Sequence, residues 1–123
     1  MVTWQRVAEL ARELPEVEET TSWGKPSFAV RGKKFAGLST RHEEAMWARC
    51  DREERPLLVA SNADAYRLTP HFESSPAFLL IWLEHIDEDE VRERLIDAWL
   101  IQATARRRKA AHSSLRSLGS SSQ

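Results

Sequence analysis

The segment from Val17 to Ser39 constrains the fold of this chain more than any other. It is rich in threonine, valine and aromatic residues, and a glycine or proline interrupts it every few positions. This composition is typical of short strands joined by tight turns. Phe28 and Val30 alternate ahead of Arg31-Gly32-Lys33, where the apolar pattern is interrupted. We therefore predict a tight hairpin with a basic tip.

Helical patterns flank this segment on both sides. Apolar residues at positions 7, 10, 11 and 14 share one helix face, which predicts a first helix from about Trp4 to Glu13 with Thr3 as its N-cap. Near the other end, the acids from Asp87 to Glu90 suit a helix N-terminus, and apolar residues follow them at helical spacing. This last helix should be the longest, and it should end in the cations before residue 110.

Shorter elements are predicted between these helices. Residues 45–50 alternate as a strand does, a short helix is expected near Pro56, and Tyr66 to Thr69 form a brief strand. Ala77 to Leu83 is an almost continuous apolar run of strand length, which indicates a central strand. The order predicts an α+β domain, in which an antiparallel sheet packs one face against the N-terminal and C-terminal helices. We place this domain at residues 1–109 and predict that the serine-rich residues 110–123 form a flexible basic tail.

The charges are distributed unevenly, although the net charge is only −1. Residues 1–100 carry 13 basic and 19 acidic groups, whereas residues 101–123 carry five basic groups and no acid. A second segment without carboxylates lies between Glu19 and Glu43. These two segments are where a phosphate-binding field could form. The candidate DNA-binding residues are the cations of the second segment, Lys25, Arg31, Lys33, Lys34 and Arg41.

A less specific interpretation of the basic hairpin remains open. Exposed turns are commonly charged, and lysine on an exposed edge strand protects it against aggregation. The sequence by itself does not decide between this edge protection and phosphate contacts.

The patterns that indicate catalysis or metal binding are missing. His42, His71, His85 and His112 are scattered without the spacing of metal ligands, and Cys50 has no cysteine neighbour. The chain has no Gly-x-Ser-x-Gly turn and no glycine loop that would cradle a phosphate. We therefore expect no catalytic residue, no metal and no cofactor.

The sequence also indicates a compartment. No apolar run approaches the roughly 20 residues that a membrane span needs, and the first residues lack the pattern of a signal peptide. The single cysteine cannot form an internal disulfide. We expect a cytoplasmic protein with no membrane partner, and a monomer is favoured.

Aromatic residues occur close to the cations and suggest a second kind of site. Core packing explains most of them, because they alternate along predicted strands. Trp23 is an exception, since it stands beside Gly24 at a turn. His71, between Pro70 and Phe72, is either a ligand contact or a histidine that bonds to loop carbonyls. A pocket near Trp23, His71 and Phe72 is therefore the alternative to DNA binding.

Several of these stretches together resemble the MmcQ/YjbR family. They are Leu14 to Glu19, Thr21 to Phe28 with its Trp-Gly-x-Pro-x-Phe pattern, the turn Arg31 to Lys33, Thr69 to Phe72, and the helix Leu95 to Leu100. The resemblance covers roughly residues 4–105. It implies a small bacterial α+β protein of CyaY-like, double-wing topology that binds DNA. Two positions depart from the family pattern, Pro56 within an expected helix and Phe72 where tyrosine is common.

Together, the residues and the resemblance predict a non-enzymatic domain that binds DNA with little sequence specificity. The basic hairpin would contact the phosphate backbone, and the basic tail would assist. The alternative function is a small-ligand or protein-interaction domain that uses the pocket.

Overall fold

Five antiparallel strands form one sheet, and their order in space follows their order in the sequence. The computed structural model describes residues 2–42 and 44–121, and for residues 71, 73 and 105–121 it describes the backbone alone. The strands are β1 (Val17–Ser22), β2 (Lys25–Val30), β3 (Lys33–Leu38), β4 (Ala45–Arg49) and β5 (Phe78–Trp82). The helices are α1 (Trp4–Arg12), α2 (Arg55–Ser61), α3 (Pro70–Glu73) and α4 (Glu88–Ser121), with a short 3₁₀ helix at Leu83–His85. The predicted α+β class is confirmed.

The first and last helices, α1 and α4, pack together, and α4 lies against β2, β3 and β4. The main core between α4, α1 and the sheet includes Val7, Phe28, Phe35, Met46 and Leu95, all of which are buried. Thr3 caps α1 as predicted, because its hydroxyl accepts a hydrogen bond from the Arg6 N–H at 3.2 Å.

Two hairpins with the same turn geometry connect the first three strands. Trp23 and Gly24 form the tip between β1 and β2, with φ of 54° and 80°. Arg31 and Gly32 form the tip between β2 and β3, with φ of 51° and 79°. Two successive residues at positive φ match the right-handed twist of a two-residue hairpin. The predicted basic hairpin is confirmed.

A β-bulge interrupts the pairing between β2 and β3. Phe28 pairs with Ala36, whereas Ala29 pairs with Lys34, so Phe35 is the extra residue. Both Phe35 and Ala36 are buried in the main core, although neighbouring residues of a regular strand point to opposite faces.

The prediction of a central strand at Ala77 to Leu83 was wrong, because β5 is the last strand of the sheet. The strand is nevertheless apolar because another segment of the chain covers its outer edge. The Trp82 N–H donates to the Ala65 carbonyl at 2.7 Å, and Tyr66 forms a bridge with Ile81. The predicted strand at Tyr66 to Thr69 is reduced to this single bridge.

The predicted short helix is present as α2, which starts at Arg55 with Pro56 in its first turn, where the missing N–H costs nothing. At the other end of the chain, the backbone of α4 is helical to Ser121, beyond the end that we predicted. The side chains of residues 105–121 lie outside the described part, so the domain boundary at residue 109 and the flexibility of the tail stay predictions. None of the described helices is long and apolar enough to cross a membrane.

Candidate functional site

The face of the sheet opposite α4 carries a second, smaller apolar cluster. Ala45, Leu80 and Trp82 are buried there, and Trp47 and Phe72 pack against them. Because strand residues alternate between faces, the side chains of Met46 and Trp47 lie on different faces of the sheet. A cavity of about 360 Å³ opens beside this cluster. It is lined by Ser22, Trp23, Lys34, Ser39, Thr40, Arg41, His42, Trp47, Thr69, Phe72, Ser75 and Phe78.

The cavity wall formed by the sheet depends on Trp47 and on the absence of a side chain at Gly37. A Cβ atom at Gly37 would lie 2.7 Å from Trp47 Nε1 and 2.8 Å from Ser27 Cβ. The indole therefore packs directly over the glycine. Trp47 also meets Phe78 edge to face, with ring centroids 5.9 Å apart. These contacts give the cavity a fixed aromatic wall.

The segment around α3 forms another wall and is held by one buried arginine. Arg55 Nη1 donates hydrogen bonds to the carbonyls of Phe72, Ser75 and Phe78 at 2.8, 2.9 and 3.0 Å. Arg55 is buried, so these bonds replace water for its charge and for the three carbonyl groups. Phe72 lines the cavity. His71 lies in α3, and its side chain lies outside the described residues.

Trp23 stands at the rim of the cavity, at the tip of the first hairpin. Its side chain lines the cavity, yet the residue is 92% exposed. The end of β1 next to this tip is fixed by Lys34, whose Nζ donates to the Thr21 carbonyl at 2.7 Å and to the Ser22 hydroxyl at 3.3 Å. Lys34 therefore makes contacts within the sheet, in addition to lining the cavity.

The loop after β3 adds positive charge. The Ser39 hydroxyl accepts hydrogen bonds from the N–H groups of Arg41 and His42 at 3.2 and 3.1 Å, which fixes the loop. His42 lies against Trp82, with ring centroids 5.1 Å apart. The Arg41 side chain is exposed and makes no ion pair with the described residues. No aspartate or glutamate occurs among the residues that line the cavity in the described part of the chain.

The five predicted DNA-binding residues do not form one cluster. Lys34 and Arg41 line the cavity together with Trp23. Lys25 begins β2, whereas Arg31 lies in the tip at the opposite end of that strand and Lys33 follows the tip.

The basic tip itself is partly neutralised. Arg31 Nη2 lies 3.0 Å from a carboxylate oxygen of Glu16, and the Gly32 N–H donates to Glu18 at 3.2 Å. The tip therefore carries less free charge than its local sequence indicates.

The family model for YjbR matches residues 12–101 of the chain. This chain belongs to the YjbR family. The resemblance found in the sequence is confirmed.

Two solved structures share the fold of this YjbR domain. The Deinococcus radiodurans protein DR2400, with a DUF419 domain, superposes with a TM-score of 0.70 at 16% identity, over 82% of this chain and 78% of that one. A protein from Pseudomonas syringae superposes with a TM-score of 0.62 at 10% identity, over 83% of this chain and 99% of that one. At these identities the likeness concerns the fold alone. No curated protein matches the sequence.

Sequence reasoning missed two residues that build the YjbR cavity. Trp47 was placed on a strand, and its alternation with Met46 contained the signal that it faces away from the main core. Arg55 had no such signal, because its three carbonyl partners lie 17 to 23 residues further along the chain.

The one cysteine of this YjbR domain does not belong to the cavity. Cys50 is buried, and this burial raises the pKa of its thiol to about 11, so the thiol stays protonated at neutral pH. Within the part of the chain that the structure describes, no group of three or more histidine, cysteine or acidic side chains could hold a metal ion.

Proposed function

We propose that this YjbR domain is a non-enzymatic binding protein whose cavity takes a small ligand with an apolar body and a negative charge. The observation that carries the proposal is the composition of the cavity between the Trp23 hairpin and α3. Aromatic walls, cations and the absence of carboxylates among the described lining residues occur there together.

Size and polarity support a small ligand over a macromolecule. A volume of about 360 Å³ lies at the lower end of the range for small-molecule pockets. Such pockets are mostly apolar, with a few polar groups that fix the orientation of the ligand. In this cavity the aromatic rings would supply contact area, and Arg41 would supply the charge for an anionic group.

A matched pair of probes tests the charge requirement. 2-Naphthoate and the neutral 2-naphthamide have the same ring system and differ in charge. We expect naphthoate to bind more tightly in isothermal titration calorimetry, and we expect Arg41→Gln to remove most of this preference. Lys25→Gln, which changes a cation that does not line the cavity, is the control. Equal affinities for the two probes in the unmodified protein would contradict the proposal.

DNA is the second candidate partner, and the free cations favour it. The side chains of Lys25, Lys33 and Arg41 make no ion pair or hydrogen bond with the described residues. Each phosphate contact adds about −0.9 to the slope of log affinity against log salt for duplex DNA, so three contacts predict a slope of about −2.7. A titration of duplex DNA over a salt series tests this candidate, and no binding at low salt would remove it.

The compartment and the oligomeric state that we propose are inferred from the sequence. We propose a cytoplasmic monomer, because the single cysteine cannot form an internal disulfide and nothing in the sequence favours a membrane partner. Sedimentation velocity at several concentrations tests the monomeric state.

A further inference from the structure

We infer that Trp23 selects the ligand of the cavity by stacking on a planar ring, so that the ligand class is aromatic anions rather than aliphatic ones. This inference rests on the proposed function of the cavity. It assigns to Trp23 the role of a specificity-determining residue at the rim.

The exposure of Trp23 is the first observation behind this assignment. Tryptophan is the largest apolar side chain, and full burial would remove a large area from water. This one is 92% exposed, whereas Trp82 is only 8% exposed. Most of the Trp23 side chain is therefore open to solvent, and a flat ligand ring can stack on it without displacing a packed side chain.

The backbone at Trp23 is the second observation. Its φ of 54° lies in the left-handed region, where glycine and asparagine are favoured and a bulky side chain is strained. Residues held in such conformations concentrate at ligand-binding sites. A tryptophan at this position costs folding free energy and gains no burial in return, so the fold itself does not account for it.

The surroundings of Trp23 supply the other contacts that an aromatic anion needs. Phe72, Trp47 and Phe78 line the same cavity and offer further apolar and aromatic surface for the body of the ring. Arg41, which makes no ion pair with the described residues, provides a positive charge for the anionic group. Lys34 fixes the end of β1 next to the tip through Thr21 and Ser22, so it acts as a positioning residue that keeps Trp23 at the rim.

Two anions with the same carbon skeleton and carboxylate, one aromatic and one saturated, test the inference. 2-Naphthoate has a flat aromatic ring system, and decahydro-2-naphthoate is its saturated, non-planar counterpart with the same carboxylate. We expect naphthoate to bind about tenfold more tightly to the unmodified protein, as measured by isothermal titration calorimetry. Trp23→Leu should reduce this ratio to about two, and Trp23→Phe should retain most of it. Circular dichroism on the same variants checks the fold, which an exposed side chain should not alter.

The outcomes separate this inference from the proposed function. A naphthoate preference that is lost in Trp23→Leu and kept in Trp23→Phe supports it. Equal affinities for the two anions, or a preference that survives Trp23→Leu, would overturn the ring inference, while sensitivity to Arg41→Gln would still support an anion site. Failure of both anions to bind would overturn the proposed function, and the ring inference with it.

Discussion

The two hairpin tips of this domain have nearly the same backbone and opposite chemistry. Trp23-Gly24 and Arg31-Gly32 both place a bulky residue and a glycine at positive φ. The Arg31 tip is surrounded by acids, since Glu16 pairs with the guanidinium and Glu18 accepts from the Gly32 N–H. The Trp23 tip instead stands over a cavity with no carboxylate among its described lining residues. A shared turn geometry therefore does not imply a shared role, and the residues within reach of each tip decide its function.

The largest expected effect concerns the wall that faces the Trp23 tip. Arg55→Ala would remove a buried guanidinium and its hydrogen bonds to three part-buried carbonyl groups, and we expect a loss of roughly 3 kcal/mol in unfolding free energy. Denaturant unfolding followed by circular dichroism measures it. Arg52→Ala, which removes an exposed arginine three positions earlier, is the matched control and should change stability by less than about 0.5 kcal/mol. Similar losses in the two variants would show that Arg55 does not hold this wall.

The cavity wall formed by the sheet should also be sensitive to substitution. Gly37→Ala would bring a methyl group within 2.7 Å of Trp47 Nε1, so the indole must move. We expect a loss of about 1–3 kcal/mol, together with weaker naphthoate binding. A fully stable variant with unchanged affinity would contradict the packing of Trp47 over Gly37.

Equal substitutions at the two tips test whether their backbones are equivalent. A Cβ atom at Gly24 or at Gly32 would meet no atom within 4 Å, so the cost of alanine there arises only from positive φ. We expect Gly24→Ala and Gly32→Ala to destabilise the domain equally, by about 1 kcal/mol each. Only Gly24→Ala should also weaken naphthoate binding, because it alone adjoins Trp23. A large difference between the stability losses of the two variants would show that the two tip backbones are not equivalent.

The smallest stability effect is expected from the charges at the Arg31 tip. The double change Arg31→Ala and Lys33→Ala removes an exposed ion pair, which is typically worth less than about 1 kcal/mol. Naphthoate affinity should remain unchanged, since neither residue lines the cavity. Increased self-association in sedimentation would indicate edge protection, and a salt slope for DNA that becomes shallower by up to about two units would indicate phosphate contacts.

Acid should weaken the ion pair that joins β1 to α1. Arg12 Nη2 lies 2.8 Å from Glu19, and this hydrogen bond lowers the pKa of the glutamate. A lowered folded-state pKa stabilises the fold above the unfolded-state value and loses this contribution as the pH falls through the folded-state value, here below about pH 4.3. Glu19→Gln should make the melting temperature slightly less dependent on pH in that range, which differential scanning calorimetry can measure.

Local sequence patterns predicted the helices and turns of this fold well, but they did not predict which other segments pack against each element. The Thr3 cap, the basic hairpin and the α+β class depend on residues close together in the sequence, and they were predicted correctly. The edge position of β5 depends on cover by residues 65–67, which lie on a different segment.

The same limit applies to the site. Arg31 looked like a free cation because its partner Glu16 becomes its neighbour only when β1 pairs with β2. Trp23 and Phe72 were singled out together by their turns, and the structure brings both to one cavity. Trp47 and Arg55 were missed because their importance depends on the partners that the fold gives them.

The bulge between β2 and β3 has a consequence for which chain lengths this hairpin tolerates. Lys34 lines the cavity and Gly37 lies under Trp47 at the cavity wall, although they are three positions apart and a regular strand would send them to opposite faces. The extra residue Phe35 restores the match. Deleting one residue between them would exchange the faces of one half of β3, so either the cation would leave the cavity or the glycine would no longer lie under Trp47. Homologous chains with a shortened β3 should therefore lack this cavity, however similar their remaining residues are.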